Sequence, residues 1–106
     1  MLLEEYFFAQ VWKSHFAEAQ KFALDMVAEF EKLKLPTYIW LSRAGDAAFF
    51  TADYERAKDL YFQASRVDRD RAWLETNSLK LADVAYKLGD LATERAYRER
   101  FYGRLE

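Results

Sequence analysis

The chain has 106 residues, enough for one ordinary domain that buries roughly two-thirds of the surface its unfolded form exposes. Apolar residues make up 52% and charged residues 32%, which excludes a disordered tail, and the lack of cysteine excludes disulfide frameworks, thiolate zinc sites and thiol nucleophiles. The net charge of −2 arises from closely mixed signs, eight basic and eight acidic residues lying between Asp68 and Glu106, so there is no electrostatic footprint for nucleic acid.

Three Gly and one Pro leave little turn chemistry, and the abundance of Ala, Leu, Glu, Lys and Arg favours helix over sheet. The opening Met1-Leu2-Leu3-Glu4-Glu5-Tyr6-Phe7-Phe8 lacks a basic region and meets acidic residues at once, which makes a poor secretory signal. No apolar run approaches the ~18 residues of a membrane span. These features predict a soluble, cytoplasmic protein with no membrane partner.

The first predicted helix, roughly Leu2 to Lys13, carries Leu2, Leu3, Tyr6, Phe7, Phe8, Val11 and Trp12. At 100° per residue they cover almost the whole circumference, and a helix that is apolar all round is expected to be buried all round. A terminal helix of a stack has only one side covered by its own chain, so Leu3, Phe7, Phe8 and Trp12 form a candidate self-association surface for a homodimer. A turn at Ser14-His15 follows. Phe16, Ala19, Phe22, Ala23, Met26, Val27, Phe30 and Leu33 then recur at steps of three and four, one buried face of an amphipathic helix that Pro36 ends. A third helical segment covers Thr37 to Thr51. After the turn Ala52-Asp53, the stripe Tyr54, Ala57, Leu60, Tyr61, Ala64 and Val67 repeats the same pattern and stops before Asp68-Arg69-Asp70. A further helix from Arg71 to Leu88 meets a third turn at Gly89-Asp90, and the last helix starts at Leu91.

The two stripes superimpose at a shift of 38 residues: Phe16 falls on Tyr54, Ala19 on Ala57, Phe22 on Leu60, Ala23 on Tyr61 and Met26 on Ala64. The turns recur at intervals of 38 and 37 residues. A helix, tight turn, helix unit of this period is the signature of a solenoid, because one helical hairpin cannot bury its own apolar face and must stack on its neighbours. The sequence therefore predicts an all-α, right-handed solenoid of about three stacked antiparallel pairs, six helices in a single domain over residues 1–106. Its units fall at about 1–36, 37–70 and 71–106, with linkers near residues 36 and 69.

The stretch Ala44-Gly45-Asp46-Ala47-Ala48-Phe49-Phe50-Thr51-Ala52-Asp53-Tyr54-Glu55-Arg56-Ala57, followed by Tyr61 and Ala64, resembles a tetratricopeptide repeat, as does Leu81-Ala82-Asp83-Val84-Ala85-Tyr86-Lys87-Leu88-Gly89-Asp90-Leu91. Gly45 and Ala82 match the small residue at which the two helices of that hairpin approach, and Ala57, Tyr61 and Ala64 match the small, aromatic, small set of its second helix. The family's usual period is near 34, so these units are about one helical turn longer. Arg69 stands where a closing proline is expected, Phe7 occupies the first unit's small position, and Glu94 and Arg98 replace small and aromatic residues in the third.

No cofactor and no catalytic role is predicted. His15 is the only histidine, with no cysteine or second histidine for a metal site. Acidic pairs such as Glu4-Glu5, Glu29-Glu31 and Asp53-Glu55 read as solvated helix faces rather than carboxylates opposed across a cleft, and none of the glycines builds a phosphate loop. The nineteen aromatic residues are more informative. Many fill the stack. The resemblance implies that the first helix of each unit lines a concave groove, which would place there Phe8, Trp12, Ile39, Asp46, Phe49, Phe50, Leu79, Asp83, Tyr86 and Lys87. The Lys, Arg and Asn clamp by which some tetratricopeptide domains hold a chaperone's C-terminal carboxylate is absent, since the comparable positions are Glu4, Phe8, Ser42, Asp46, Leu79 and Asp83. An apolar groove carrying Asp46 and Asp83 suits a protein or peptide partner with large apolar side chains and a Lys or Arg. The expected function is thus a non-catalytic adaptor or scaffold, with self-association through the first helix as the alternative. The basic residues of the last helix, Arg95, Arg98, Arg100 and Arg104, lie among Glu94, Glu99 and Glu106 and read as a solvated cap.

Overall fold

The computed structural model of the chain describes residues 2–67 and 71–103, and the side-chain surroundings of 3–67 and 77–102. Among the described residues it holds six α-helices and no strand: α1 (Leu2–Trp12), α2 (Phe16–Lys32), α3 (Tyr38–Phe50), α4 (Tyr54–Val67), α5 (Arg71–Lys87) and α6 (Leu91–Gly103). Breaks fall at Ser14-His15, Ala52-Asp53 and Gly89-Asp90, as the repeat predicts, and the break after α2 spans Leu33 to Thr37. The linker expected near residue 69 lies outside the described residues.

Four helices stop in the same way. Ser14, Lys34, Ala52 and Gly89 take left-handed φ values of 63°, 57°, 62° and 77°. In each case the amide of that residue donates to the carbonyl three residues back and the next amide to the carbonyl five back. After α3, for example, Ala52 N reaches Phe49 O at 3.0 Å and Asp53 N reaches Ala48 O at 2.9 Å. This is the Schellman closure, which satisfies carbonyls that a helix end leaves without partners. Only one of the four positions is glycine, so three turns hold a side chain in a backbone region that L-residues disfavour. Pro36 follows the second closure and blocks any resumption of α2.

The next helices begin on matched residues. Asp53 Oδ1 accepts the Arg56 amide at 3.4 Å, and Asp90 Oδ1 accepts the Thr93 amide at 3.2 Å while Oδ2 accepts the Thr93 hydroxyl at 2.6 Å. His15 holds the same position before α2 and makes no such cap.

The extensive helix contacts join each helix to the next in the chain, α1 to α2 and onward to α6. Small residues let the backbones approach: Ala19 and Ala23 on α2, Ala44, Ala47 and Ala48 on α3, and Ala57 and Ala64 on α4 are fully buried. Gly45 is the closest approach, because a Cβ there would stand 2.6 Å from Tyr61 Cε1. Around α1, α2 and α3 the core is aromatic. Trp40, almost fully buried, meets Phe7, Phe22 and Phe30 edge-on with centroids 6.4, 5.6 and 6.2 Å away, the arrangement that ring quadrupoles favour. The stripes fail at their far ends: Leu33 is already past the last residue of α2, and Val67 lies in the final turn of α4, so both are exposed.

Candidate interaction face

The side chains on α1, α3 and α5 divide into a polar ladder and an exposed aromatic set. The ladder starts on α1, where Glu4 pairs with Arg43 of α3 at 3.7 Å. Arg43 also reaches Asp46 one turn along, at 3.5 Å, and its guanidinium lies 4.9 Å from the Phe8 ring centroid in a cation–π contact. Asp46 takes Lys80 of α5 at 3.1 Å and the Tyr61 hydroxyl of α4 at 2.6 Å. Lys80 donates in addition to Ser42 Oγ at 2.9 Å, and that hydroxyl donates to Asn77 Oδ1 at 3.2 Å. Ser42 and Asn77 have no solvent exposure at all, so the network closes inside the α3–α5 contact.

Burial changes the chemistry of two of these groups. Removal from water, and then the Asp46 carboxylate, hold the Tyr61 phenol far above its usual range. Removal from water also pulls Lys80 below the usual ammonium value, although Asp46 opposes that shift. Helices α5 and α6 hold a tie of the same spacing with different residues. Arg98 of α6 donates to Asp83 of α5 at 3.0 Å and to Glu94, one turn back on its own helix, at 2.9 Å. Asp46 and Tyr61, like Asp83 and Arg98, are fifteen residues apart in the chain.

The sequence offers Asp46 and Asp83 as carboxylates for a basic residue of a partner, but both are already engaged. Asp46 is enclosed by Lys80, Tyr61 and Arg43, whereas Asp83 is paired with Arg98 but stays exposed. Lys80, which lies on no sequence stripe, takes the place a partner's Lys was expected to fill. The aromatic candidates separate by exposure. Trp12 is 91% exposed, Tyr86 58%, Phe50 52% and Phe8 46%. Phe49 is half-buried against Tyr54, with centroids 5.4 Å apart, and Ile39 and Leu79 are likewise half-buried. Phe50 also meets Phe16 at 5.5 Å, and Lys87 is exposed.

Helix α1 is covered on one side only. Phe7, expected on a self-association surface, is instead interior, 1% exposed and set against Trp40. Leu3 packs at the edge of the core. Tyr6, Phe8 and Trp12 face outward, although Tyr6 keeps one edge on Phe22 at 4.6 Å. Sequence reasoning missed Ser42, Asn77 and Lys80. One available signal was the pair of small polar residues standing inside otherwise helical, core-spaced segments, which calls for partners across an interface.

The cavities between helices lie elsewhere. One of about 180 Å³ opens between α4 and α6 over Leu81 and Ala85 of α5 and Leu88 just beyond it, and a neighbour of about 230 Å³ shares Phe62, Leu81 and Tyr97 with it. Among the described residues no group of three His, Cys, Asp or Glu side chains could hold a metal ion, and no helix is long and apolar enough to cross a membrane. No family model, curated protein or solved structure matches the chain.

Proposed function

We propose that the protein is a non-catalytic interaction module, a tetratricopeptide-like solenoid of three antiparallel helix pairs that binds a protein or peptide through α1, α3 and α5. The observation that carries this reading is the set of exposed aromatics in the last turns of those helices: Phe8 and Trp12 on α1, Phe50 on α3 and Tyr86 on α5. Under the repeat shifts of 38 and 37 residues, Trp12 corresponds to Phe50 and, one position earlier, half-buried Phe49 corresponds to Tyr86, so two adjacent positions near the helix ends carry the rings. The cross-ties Glu4–Arg43 and Asp46–Lys80 support a side-by-side order of α1, α3 and α5. Rings with an apolar body and few rotatable bonds are favoured anchors of protein interfaces. Because Asp46 and Asp83 are engaged internally, aromatic contact is the main source of affinity in this reading, and a partner's basic residue would find Lys80 or Arg98 already in place.

The test uses Trp12→Ser with Tyr86→Ser, since neither ring is a core residue. Affinity-tagged protein is used to capture partners, which are identified by mass spectrometry, purified and titrated calorimetrically. The double variant is expected to lose at least tenfold in affinity with helicity unchanged. Equal affinity of parent and variant would overturn the reading.

The second reading, a self-associating module, is favoured by the outward-facing Tyr6, Phe8 and Trp12 on a terminal helix. Light scattering separates the two. A dimer that Phe8→Ser with Trp12→Ser converts to monomer supports self-association, whereas a monomer at high micromolar concentration removes it.

A further inference from the structure

Two arginines that the polar ladder does not use stand on α4 and α6. Arg98 is committed to Asp83 and Glu94. Arg100, two residues on, is exposed, and so is Arg66 on α4, and neither makes an ion pair or hydrogen bond with a described residue. Both line the same cavity, the one of about 230 Å³ between α4 and α6.

The floor of that cavity is largely apolar, with Ser65 and Ser78 at its sides. Leu81 of α5 is 3% exposed, and Phe62 and Tyr97 flank it with ring centroids 6.0 Å apart. Among the described residues no acidic side chain lines it, in contrast to the adjoining cavity, whose wall includes Glu55 and Asp90 beside Lys58. Among the described residues the cavity therefore combines a largely apolar base that fits one large side chain with two positive charges at its rim and no acidic side chain in its lining. A pair of exposed guanidinium groups over a largely apolar floor is complementary to carboxylates flanking an apolar residue, because each guanidinium offers forked donors to a carboxylate while the ring or alkyl group is removed from water.

We infer that the α4–α6 cleft is a docking site for an acidic peptide segment, one that seats a single large apolar side chain on Phe62, Leu81 and Tyr97 and sets flanking Glu or Asp carboxylates against Arg66 and Arg100. This surface lies on the second helices of the second and third pairs and is separate from the aromatic set of α1, α3 and α5. Its success or failure leaves the reading of that set untouched.

The experiment is fluorescence polarisation on the full chain with a fluorescein-labelled, C-terminally amidated probe, Gly-Glu-Glu-Phe-Glu-Gly. Two control peptides replace Glu by Lys and Phe by Ser. Saturable binding is expected for the probe and not for the controls, and it weakens as salt is raised. Arg66→Glu with Arg100→Glu is expected to reduce affinity at least tenfold. Both positions are exposed, and the milder Arg66→Gln with Arg100→Gln, expected to fall between parent and charge reversal, guards against a folding defect that circular dichroism would reveal. In a heteronuclear NMR titration the largest shifts are expected at Phe62, Leu81 and Tyr97. The proposal is overturned by absence of saturable binding, by equal binding of the Lys or Ser control, by unchanged affinity in the charge-reversed protein, or by shifts centred on Phe8 and Trp12.

Discussion

The Tyr61 hydroxyl donates to Asp46 Oδ1 at 2.6 Å while the ring it belongs to lies flat against Gly45, where a Cβ would come within 2.7 Å of Cδ1. The two contacts are coupled. The ring cannot retreat from α3 without giving up the hydroxyl bond, and the carboxylate is itself held from the far side by Lys80. At the positions 37 residues on, in α5 and α6, Ala82 replaces Gly45 and Arg98 replaces Tyr61, a flexible chain where α4 has a rigid ring.

Gly45→Ala is accordingly expected to destabilise the protein. Alanine in a helix interior is ordinarily worth up to ~1 kcal/mol over glycine. Overpacking against an anchored ring costs about 1–3 kcal/mol, so the net loss is up to about 2 kcal/mol. Urea unfolding measures it, and a gain in stability would show that Tyr61 can move aside.

Tyr61→Phe keeps the ring and removes the hydroxyl. Asp46 retains Lys80 and Arg43, which puts the expected cost near the lower end for a hydrogen bond to a charged group, about 1.5 kcal/mol. The same substitution has a pH signature. A phenol whose ionisation is pushed upward on folding contributes stability that is complete below its unfolded value, about 10, and declines as pH rises beyond it. Lys80, whose value is lowered by burial, opposes this trend in the same alkaline window. The comparison of parent with Tyr61→Phe isolates the phenol: above pH of about 10 the parent is expected to lose stability more steeply than the variant.

Ala52 and Gly89 close α3 and α5 with the same hydrogen bonds and nearly the same φ, yet only one is glycine. Ala52→Gly is expected to stabilise by about 0.5–1 kcal/mol, the relief of left-handed strain outweighing the added freedom of the unfolded chain. Gly89→Ala is expected to cost a similar amount through the backbone alone, since nothing lies within 4 Å of the Cβ it would add. Paired thermal melts decide this. No change in either variant would mean that these turns tolerate a side chain freely.

His15→Asp restores at α2 the cap that Asp53 and Asp90 give to α4 and α6. A gain of about 0.5–1 kcal/mol is expected at neutral pH. Its pH dependence follows from Asp90, whose carboxyl the Thr93 hydroxyl and amide hold below the usual carboxylate range. A carboxyl lowered on folding contributes above its unfolded value, near 4, and that contribution fades as pH falls through the folded value. The benefit of His15→Asp is therefore expected at pH 7 and absent in strong acid, and a benefit that persists in acid would point to a cause other than capping.

Much of the helical layout is legible in the sequence because it depends on local spacing. Ala19, Ala23, Ala57 and Ala64 sit on three- and four-residue stripes and are fully buried, and Glu94 and Arg98 pair along α6 as their four-residue separation suggests. The turn positions were equally visible, although not their conformation: Ser14, Lys34 and Ala52 adopt a glycine-like φ that their identities do not announce. The candidate face was less legible. Exposure of Trp12 and Tyr86 was expected, but the occupation of Asp46 depends on Lys80, 34 residues away in the chain, and no periodicity links the two. Phe7 and Phe8 are chain neighbours on a helix that is apolar all round. Only the packing of Trp40 decides that the first is interior and the second exposed.

The preference of each helix for its neighbour in the chain has a kinetic consequence. Most helix contacts can form by closing a turn of a few residues, so the chain forfeits little loop entropy before hydrophobic contact rewards it. Folding is then expected within the microsecond to millisecond range of helical domains of low contact order. The ties that reach further, Glu4 to Arg43 and Asp46 to Lys80, are expected to form after the contacts between neighbouring helices. Loss of such a late contact is felt mainly as faster unfolding, with the folding rate little changed.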